Sequence, residues 1–271
     1  LLKEIDLVKP LGLNRSDLLH LLRASYCLGG FTDKKIAEIG GTTSEDFVIQ
    51  ILKPSRWFGI TYSEYFNYHG KKQNIKFGNK YPDIYKYDFS GYQGFFGNWK
   101  RNGDDKFDIV FSKAAFEHIP NLLECLNVCY EILTEGGILY SYFSPIWSAP
   151  NGSHGFHPDE INHFGNHSHL MFDFTSLSSY LVHEKNFSKT KACEASERLY
   201  RNPNLNRYSY EEFIEIFDSS NFRTKKITPI DKPGTYGLFE QMYSGDKLKT
   251  IRKLYPSMKY SCEGFEVIMK K

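Results

Sequence analysis

Short apolar runs alternate with helical patterns over the first 145 residues, and this alternation limits the choice of folds more than any other feature. Lys35–Ile39 enters a glycine pair, and Phe107–Ser112 (FDIVFS) has the composition of a buried strand. A helix over Leu122–Leu133 follows, and Ile138–Phe143 is the next strand. A helix between two strands returns the chain to the starting edge of the sheet, so that the strands run parallel. The sequence therefore predicts an α/β fold with a mostly parallel sheet and helices on both faces.

The pattern changes after Pro145. Ser148–Ser179 is rich in histidine, glycine, asparagine and phenylalanine and has no clean period. Unpatterned stretches of this length inside compact domains are usually functional. Helix and strand patterns return over Tyr208–Ser219, Phe222–Ile230, Asp246–Leu254 and Phe265–Met269. We expect a single domain over residues 1–271, with residues 146–205 as an insertion after the fifth strand.

Charge and cysteine content restrict the partners and the compartment. The chain has 34 Lys and Arg against 32 Asp and Glu, a net charge of +2 that argues against nucleic acid as a partner, although the last third is locally basic. Its five cysteines form no CxxC pair, which is typical of a reducing, cytoplasmic environment. No window has the ~18 apolar residues of a membrane span. The sequence begins with Leu1 and not with methionine, which fits a domain of a larger protein. The sequence does not indicate the oligomeric state.

Five motifs follow one another at the predicted strand ends. They are EIGG (Glu38–Gly41), FGITYSEY (Phe58–Tyr65), YDFSG (Tyr87–Gly91), FDIVFSKAAFEHI (Phe107–Ile119) and LTEGGILYSYFSP (Leu133–Pro145). In this order they resemble class I S-adenosylmethionine-dependent methyltransferases. The resemblance implies a Rossmann-like, seven-stranded sheet, with the late strands as a reversed edge hairpin. It also implies that S-adenosylmethionine lies across the strand ends.

The first loop is the part of the motif series with the clearest cofactor role. By resemblance, Glu38, Gly40 and Gly41 hold the amino acid portion of S-adenosylmethionine, because a carboxylate orients an ammonium by charge-assisted hydrogen bonds. The family usually has further glycines in this loop, whereas this chain has Thr42–Ser44.

The remaining cofactor residues follow later strands. Thr61 and Tyr62 occupy the place where the family expects an acidic residue for the ribose hydroxyls. Asp88 resembles the acid that accepts from the adenine amino group, and Phe89 is placed to pack on that ring. Ser112 is expected at the sulfonium end of the cofactor.

A histidine cluster follows the fifth strand, where the resemblance places the methyl acceptor. It comprises His154, His157, His163, His167 and His169. A hydroxyl acceptor needs a base or a metal to lose its proton, and histidine titrates near neutral pH. His154 and His157 are nearest to the strand, and we predict them as catalytic residues.

Glu117 and His118 form a second candidate site. This pair resembles one that joins a divalent ion in metal-dependent 2′-O-methyltransferases of small RNAs, although Ala114 stands where those enzymes have a further glutamate. A downstream histidine such as His157 would complete the ligand set. We therefore predict His118 as a further catalytic residue, and Glu117, His118 and His157 as candidate ligands of a divalent metal. An ion would bind a vicinal diol and acidify one hydroxyl.

The leading functional hypothesis is an O-methyltransferase that uses S-adenosylmethionine and acts on a small molecule or glycan. The aromatic residues after Pro145 suit a sugar or ring, or they simply close a core. These are Trp147, Phe156, Phe164, Phe172 and Phe174. Three alternatives stay open: a nucleic-acid methyltransferase, a nicotinamide-dependent oxidoreductase of the same architecture, and a binding domain of the same fold without activity.

Overall fold

A computed structural model of the protein describes residues 15–40, 43, 47–61, 85–86, 106–202, 204–231 and 245–271. Its strands are β1 (Lys35–Ile39), β2 (Arg56–Thr61), β3 (Tyr85–Lys86), β4 (Phe107–Lys113), β5 (Leu133–Phe143), β6 (Thr224–Asp231) and β7 (Cys262–Lys270). They form one sheet in the order β3-β2-β1-β4-β5-β7-β6. Strands β1 to β5 are parallel to one another, whereas β7 pairs antiparallel with both β5 and β6. The prediction of a Rossmann-like, mostly parallel sheet is confirmed.

The helices of the described residues are α1 (Arg15–Leu28), α2 (Leu122–Ile132), α3 (Phe174–His183), α4 (Lys189–Tyr200), α5 (Tyr210–Ser219) and α6 (Gly245–Leu254). Val48–Leu52 forms a single π-helical turn after β1. Capping boxes begin α3 at Asp173 and α5 at Ser209. No helix in these ranges is long and apolar enough to cross a membrane.

Apolar side chains cover both faces of the sheet. On β4, Val110 and Phe111 point to opposite sides, as successive strand residues do, and each is buried in a different core cluster. Val110 lies in the cluster that includes α2 and α5, and Phe111 lies in the one that includes α1. The prediction of helices on both faces is therefore confirmed.

An ion pair joins α1 to β7. Arg23 donates from Nε and Nη2 to the Glu266 carboxylate at 2.5 and 2.6 Å, and the Tyr140 hydroxyl donates to the same carboxylate at 2.9 Å. Burial raises the pKa of Glu266, but the hydrogen bonds from Arg23 and Tyr140 outweigh this effect, so the net pKa is lowered. The first described helix is thereby fixed to the last strand.

Residues 146–205 supply most of a third core cluster, to which Ile251 of α6 also belongs. Its fully buried members include Ile161, Leu170, Leu177 and Leu199, and α3 packs on α4 there. The stretch Ser148–Ser179, which lacks a period in sequence, is a series of turns and short 3-10 helices, Asp159–Phe164 and Ser168–Leu170, before α3 begins.

Aromatic rings of this segment pack on one another. Phe164 lies 5.4 Å from Phe172 and 5.9 Å from Tyr180 between ring centroids, and Trp147 lies 4.6 Å from His169. Of the two roles considered for these aromatics, the structure supports the closing of a core.

Candidate functional site

Glu38 ends β1 as a buried carboxylate that is bound to its own loop. It accepts from the Thr43 backbone N–H at 3.2 Å, from the Thr43 hydroxyl at 2.6 Å and from Trp57 Nε1 at 3.0 Å. Burial raises the pKa of Glu38, and these hydrogen bonds partly offset the rise. The carboxylate therefore fixes the chain that follows the strand.

Gly40 brings the β1 loop against the β4 loop. Its φ is +95°, which favours glycine, and a Cβ added there would lie 3.0 Å from Ala115 Cβ and 3.7 Å from the Lys113 carbonyl oxygen. The two loops that follow neighbouring strands are thus in contact, as expected for a ligand site at the carboxyl ends of parallel strands.

Of the other predicted cofactor residues, Ser112 is the one with a described side chain. It is fully buried in β4, and its hydroxyl has no hydrogen-bond partner among the described residues. Thr61 ends β2, but its side chain lies outside the description. Gly41, Tyr62, Asp88 and Phe89 lie outside the described residues.

Glu117 lies in the 3-10 turn Phe116–His118 that follows β4. Its side chain is 2% exposed, and burial raises its pKa to about 8, although backbone groups of Glu117 and Ser144 oppose the rise. Oε2 has no hydrogen-bond partner in the described part of the chain. The turn thus holds a carboxyl group whose second oxygen is available to a ligand.

His118 and His154 converge on Glu117. The ring centroids of the two histidines are 5.0 Å apart, and His118 Nε2 lies 3.9 Å from Glu117 Oε1. One nitrogen or oxygen atom from each of the three side chains lies within 4.8 Å of the other two. The pKa of His154 is lowered to about 4 by burial and by His118, so its ring is neutral at pH 7. Burial also lowers the pKa of His118.

His157 is not part of this cluster. Its Nδ1 lies 2.7 Å from the Ser153 hydroxyl, and its Nε2 lies 2.5 Å from Asn162 Oδ1. Both ring nitrogens are therefore engaged within the turn that they bridge. The sequence suggests Glu117, His118 and His157 as metal ligands, whereas the described residues that lie close enough to hold an ion are Glu117, His118 and His154.

Tight backbone packing sets the position of His154. Three successive turns run from Ile146 to His154, in which Ala149, Gly152 and His154 each donate to the residue three positions earlier. A Cβ at Gly152 would lie 2.2 Å from the Trp147 carbonyl oxygen. The segment thus requires glycine at 152, and His154 has a positive φ of 50°.

Sequence reasoning missed two asparagines after α4. The Asn204 carbonyl lies 2.6 Å from His118 Nδ1, and Asn206 donates from its side chain to the Phe116 and Ile119 carbonyls at 2.7 and 3.1 Å. The Asn206 backbone N–H donates to the Glu117 carbonyl. These contacts fix the Glu117 turn. The only local signal is the turn-forming composition of residues 202–207.

His167 and His169 lie deeper in the 146–205 core. Nε2 of His167 donates to the Tyr260 carbonyl at 3.1 Å, and Nε2 of His169 donates to the Trp147 carbonyl at 2.7 Å. Because a carbonyl only accepts, both Nε2 atoms are protonated. Burial lowers their pKa values to about 4 and about 3. These histidines are structural parts of the core.

Two lysines of the basic last third have partners within the chain. Lys225 Nζ donates to the Asp218 and Ser220 carbonyls, and Lys247 Nζ donates to the Phe164 and Asn166 carbonyls. Burial lowers the pKa of Lys247 to about 8. This region therefore gives little support to the hypothesis of a surface that binds nucleic acid.

One family model matches a short part of the chain. A family model described as a methyltransferase domain matches residues 100–141, which include β4, the Glu117 turn and α2. No curated protein matches the chain.

Three of the similar solved structures are described as S-adenosylmethionine-dependent methyltransferases. One from Thermotoga maritima is 18% identical, with 100% of this chain and 95% of that chain covered and a TM-score of 0.42. One from Archaeoglobus fulgidus is 15% identical, with 98% of each chain covered and a TM-score of 0.44. One from Mesorhizobium loti is 11% identical, with 92% and 96% covered and a TM-score of 0.48.

Proposed function

We propose that this chain, a class I S-adenosylmethionine-dependent methyltransferase, methylates a hydroxyl group of a small molecule or glycan. The methyltransferase-domain match over residues 100–141 supports methyl transfer. The observation that supports a hydroxyl acceptor is the convergence of Glu117, His118 and His154 beside the contact between the β1 and β4 loops. Groups that take up or stabilise a proton are needed for a hydroxyl, which is a poor nucleophile while it is protonated.

The residues at the end of β1 fit the cofactor. Gly40 leaves the backbone open where a side chain would collide with Ala115, and the Ser112 hydroxyl is buried without a partner among the described residues. When bound, S-adenosylmethionine supplies the electrophilic methyl group. Glu38 acts as a positioning residue, because its carboxylate holds the loop through Thr43 and Trp57. Gly41, Thr61, Tyr62, Asp88 and Phe89 remain proposed cofactor residues.

The acceptor side of the proposed site is formed by the turn after β4 and the segment 146–205. His118 and His154 line the acceptor side and assist the removal of the acceptor's proton. His157 is a positioning residue, because its bonds to Ser153 and Asn162 bridge the turn that presents His154. We treat residues 1–271 as one methyltransferase domain whose 146–205 segment binds the acceptor.

Calorimetry tests the cofactor part of the proposal. We expect S-adenosylmethionine and S-adenosylhomocysteine each to bind with one site per chain, and mass spectrometry to detect either molecule in the freshly purified protein. Absence of binding to both would refute the proposed function.

Product mass spectrometry tests the acceptor part. With S-adenosylmethionine and a panel of sugars, phenols and amines, we expect methylation of a hydroxyl compound. His154→Ala should lower turnover about 100-fold or more while cofactor affinity stays unchanged, which is the range that general acid–base groups contribute. His163→Ala is the matched control, since this exposed histidine of the same segment contacts the Tyr180 hydroxyl at 3.3 Å and lies outside the cluster. Methylation confined to amines would contradict the proposal.

A further inference from the structure

We propose that Glu117, His118 and His154 bind a divalent transition-metal ion, and that this ion selects an acceptor with two adjacent hydroxyl groups. Their ligand atoms lie within 4.8 Å of one another. The diol selection rests on the proposed function, whereas the metal site does not depend on it.

The His118 ring is oriented as a ligand. Its Nδ1 lies 2.6 Å from the Asn204 carbonyl, which only accepts, so Nδ1 holds the proton and Nε2 holds the lone pair. The 3.9 Å from Nε2 to Glu117 Oε1 is too long for a hydrogen bond. Metal-ligating histidines usually donate their other ring N–H to a carbonyl or carboxylate in this way.

Glu117 and His154 supply the second, independent observation. Glu117 Oε2 and His154 Nδ1 are both buried, and neither has a hydrogen-bond partner within the described ranges. A buried polar atom without a partner costs about 1–3 kcal/mol. These two side chains come from different loops, and each brings one possible ligand atom to within 4.8 Å of one from His118. A cation between them would satisfy both.

The ligand chemistry favours a transition metal with open positions. Two imidazole nitrogens and one carboxylate oxygen suit Zn²⁺, Co²⁺ or Mn²⁺, and three protein ligands leave room for exchangeable ones. Ligand atoms about 2.1 Å from a tetrahedral ion lie about 3.4 Å apart, so the three side chains would close in by about 1 Å.

Two adjacent hydroxyl oxygens of an acceptor are the ligands that best fill these open positions on the ion. They chelate one ion, and an ion-bound hydroxyl has a lowered pKa, so its proton is lost to water more readily. The acceptor would then be held next to the Gly40–Ala115 contact. An acceptor with a single hydroxyl group would form only one bond to the ion.

Cobalt binding tests the metal site directly. We expect metal-stripped protein to bind one Co²⁺ per chain with visible d–d absorption, and calorimetry to give the same stoichiometry for Zn²⁺. Glu117→Gln, His118→Asn and His154→Asn should each weaken binding at least about 10-fold, the loss typical of disturbed metal sites. His163→Asn should bind as the wild type does.

The side chain of His118 is 39% exposed, so His118→Asn is expected to melt at the wild-type temperature and to separate lost ligation from lost folding. Absence of Co²⁺ absorption in the wild type, or wild-type affinity in His118→Asn, would overturn the metal site.

The diol part is tested with the Co²⁺-loaded protein. Methyl β-D-ribofuranoside should shift the absorption bands, whereas its 2-deoxy analogue should not, and the shift should be absent in the three variants. Equal shifts with both sugars, or none with the diol, would overturn diol selection. Metal binding without any binding of S-adenosylmethionine would instead refute the proposed function and leave the metal site standing.

Discussion

Two buried glutamates at neighbouring strand ends differ in their surroundings. Glu38, at the end of β1, accepts hydrogen bonds from Thr43 and Trp57. Glu117, just after β4, has an oxygen without a partner in the part of the chain that the structure describes. Burial raises the pKa of both carboxyl groups. The first carboxylate stabilises the β1 loop, whereas the second has an oxygen that no described residue satisfies.

The same contrast separates the two halves of the proposed site. The β1 side is built from local contacts, because Thr43 lies five residues after Glu38. The Glu117 side depends on distant segments, since Asn204, Asn206 and His154 all reach the turn from beyond β5. We therefore expect substitutions on the two sides to separate stability from activity.

The largest expected difference is between Glu38→Gln and Glu117→Gln. In Glu38→Gln the new amide N–H₂ faces donors of Thr43 and Trp57, so the free energy of unfolding should fall by about 1–3 kcal/mol. Glu117→Gln loses no hydrogen bond of Oε2 and should stay within about 1 kcal/mol of wild type, while turnover falls about 100-fold or more. Urea unfolding and steady-state kinetics measure the two effects. Equal destabilisation by both substitutions would contradict the assignment of a structural role to Glu38 and a functional role to Glu117.

Gly40→Ala should weaken cofactor binding about 10- to 30-fold, as measured by calorimetry. The new Cβ would lie 3.0 Å from Ala115 Cβ, and the residue would keep an unfavourable positive φ that costs about 1–2 kcal/mol. Gly30→Ala is the control, because its φ is +87° with nothing within 4 Å of the added Cβ. It has similar strain without the contact, so a comparable loss of cofactor affinity in Gly30→Ala would argue against a site at the β1 loop.

Acid should destabilise the 146–205 segment through His167 and His169. Their pKa values in the folded state are about 4 and about 3, against 6.5 for an unperturbed histidine. Below pH 6.5 the unfolded chain binds protons that the folded chain does not, so stability is complete above pH 6.5 and falls as the pH drops towards 4.

Urea unfolding at pH 7.5 and 5.5 should show a loss of about 1 kcal/mol for each histidine. His169→Gln should reduce this pH dependence, and His183→Gln, at an exposed position, should leave it unchanged. A pH dependence of undiminished size in His169→Gln would assign the acid sensitivity to other groups.

The smallest expected effect concerns Ser112→Ala. The hydroxyl has no partner among the described residues, so we expect a stability change below about 0.5 kcal/mol and a loss of cofactor affinity of about 3-fold. Ser141→Ala is a close control, because Ser141 is the register neighbour of Ser112 on β5 and its hydroxyl is also buried without a described partner. An equal effect of both variants would place Ser112 outside the cofactor site.

The sheet was predictable because its strands are short apolar runs between glycines and helices. The bounds of β1 agree with the sequence-based expectation, and those of β4 differ from it by one residue. Helix α4 was missed because KTKACEASERLY has few apolar residues, and only Ala192, Ser196 and Leu199 are buried.

The candidate site was predictable only in part. Glu117 and His118 follow a recognisable strand, so their place at its end could be expected. That His154 and not His157 lies beside Glu117 depends on three successive turns after Ile146. Such turns leave no periodic signal in the sequence. Asn206 contacts Phe116 across 90 residues of chain, and no local pattern reports such a pair.

The sheet order has a consequence for how the molecule is made. β7 is the last strand along the chain, yet it lies between β5 and β6, and β6 reaches the sheet only through it. During synthesis, β6 therefore leaves the ribosome before the strand that joins it to the rest exists, and Glu266, the partner of Arg23, follows 243 residues after it. The described sheet can be completed only after β7, which ends at Lys270, has been translated. A nascent chain that stops before Cys262 would expose the unpaired edge of β5, which is a surface that chaperones recognise and that favours aggregation.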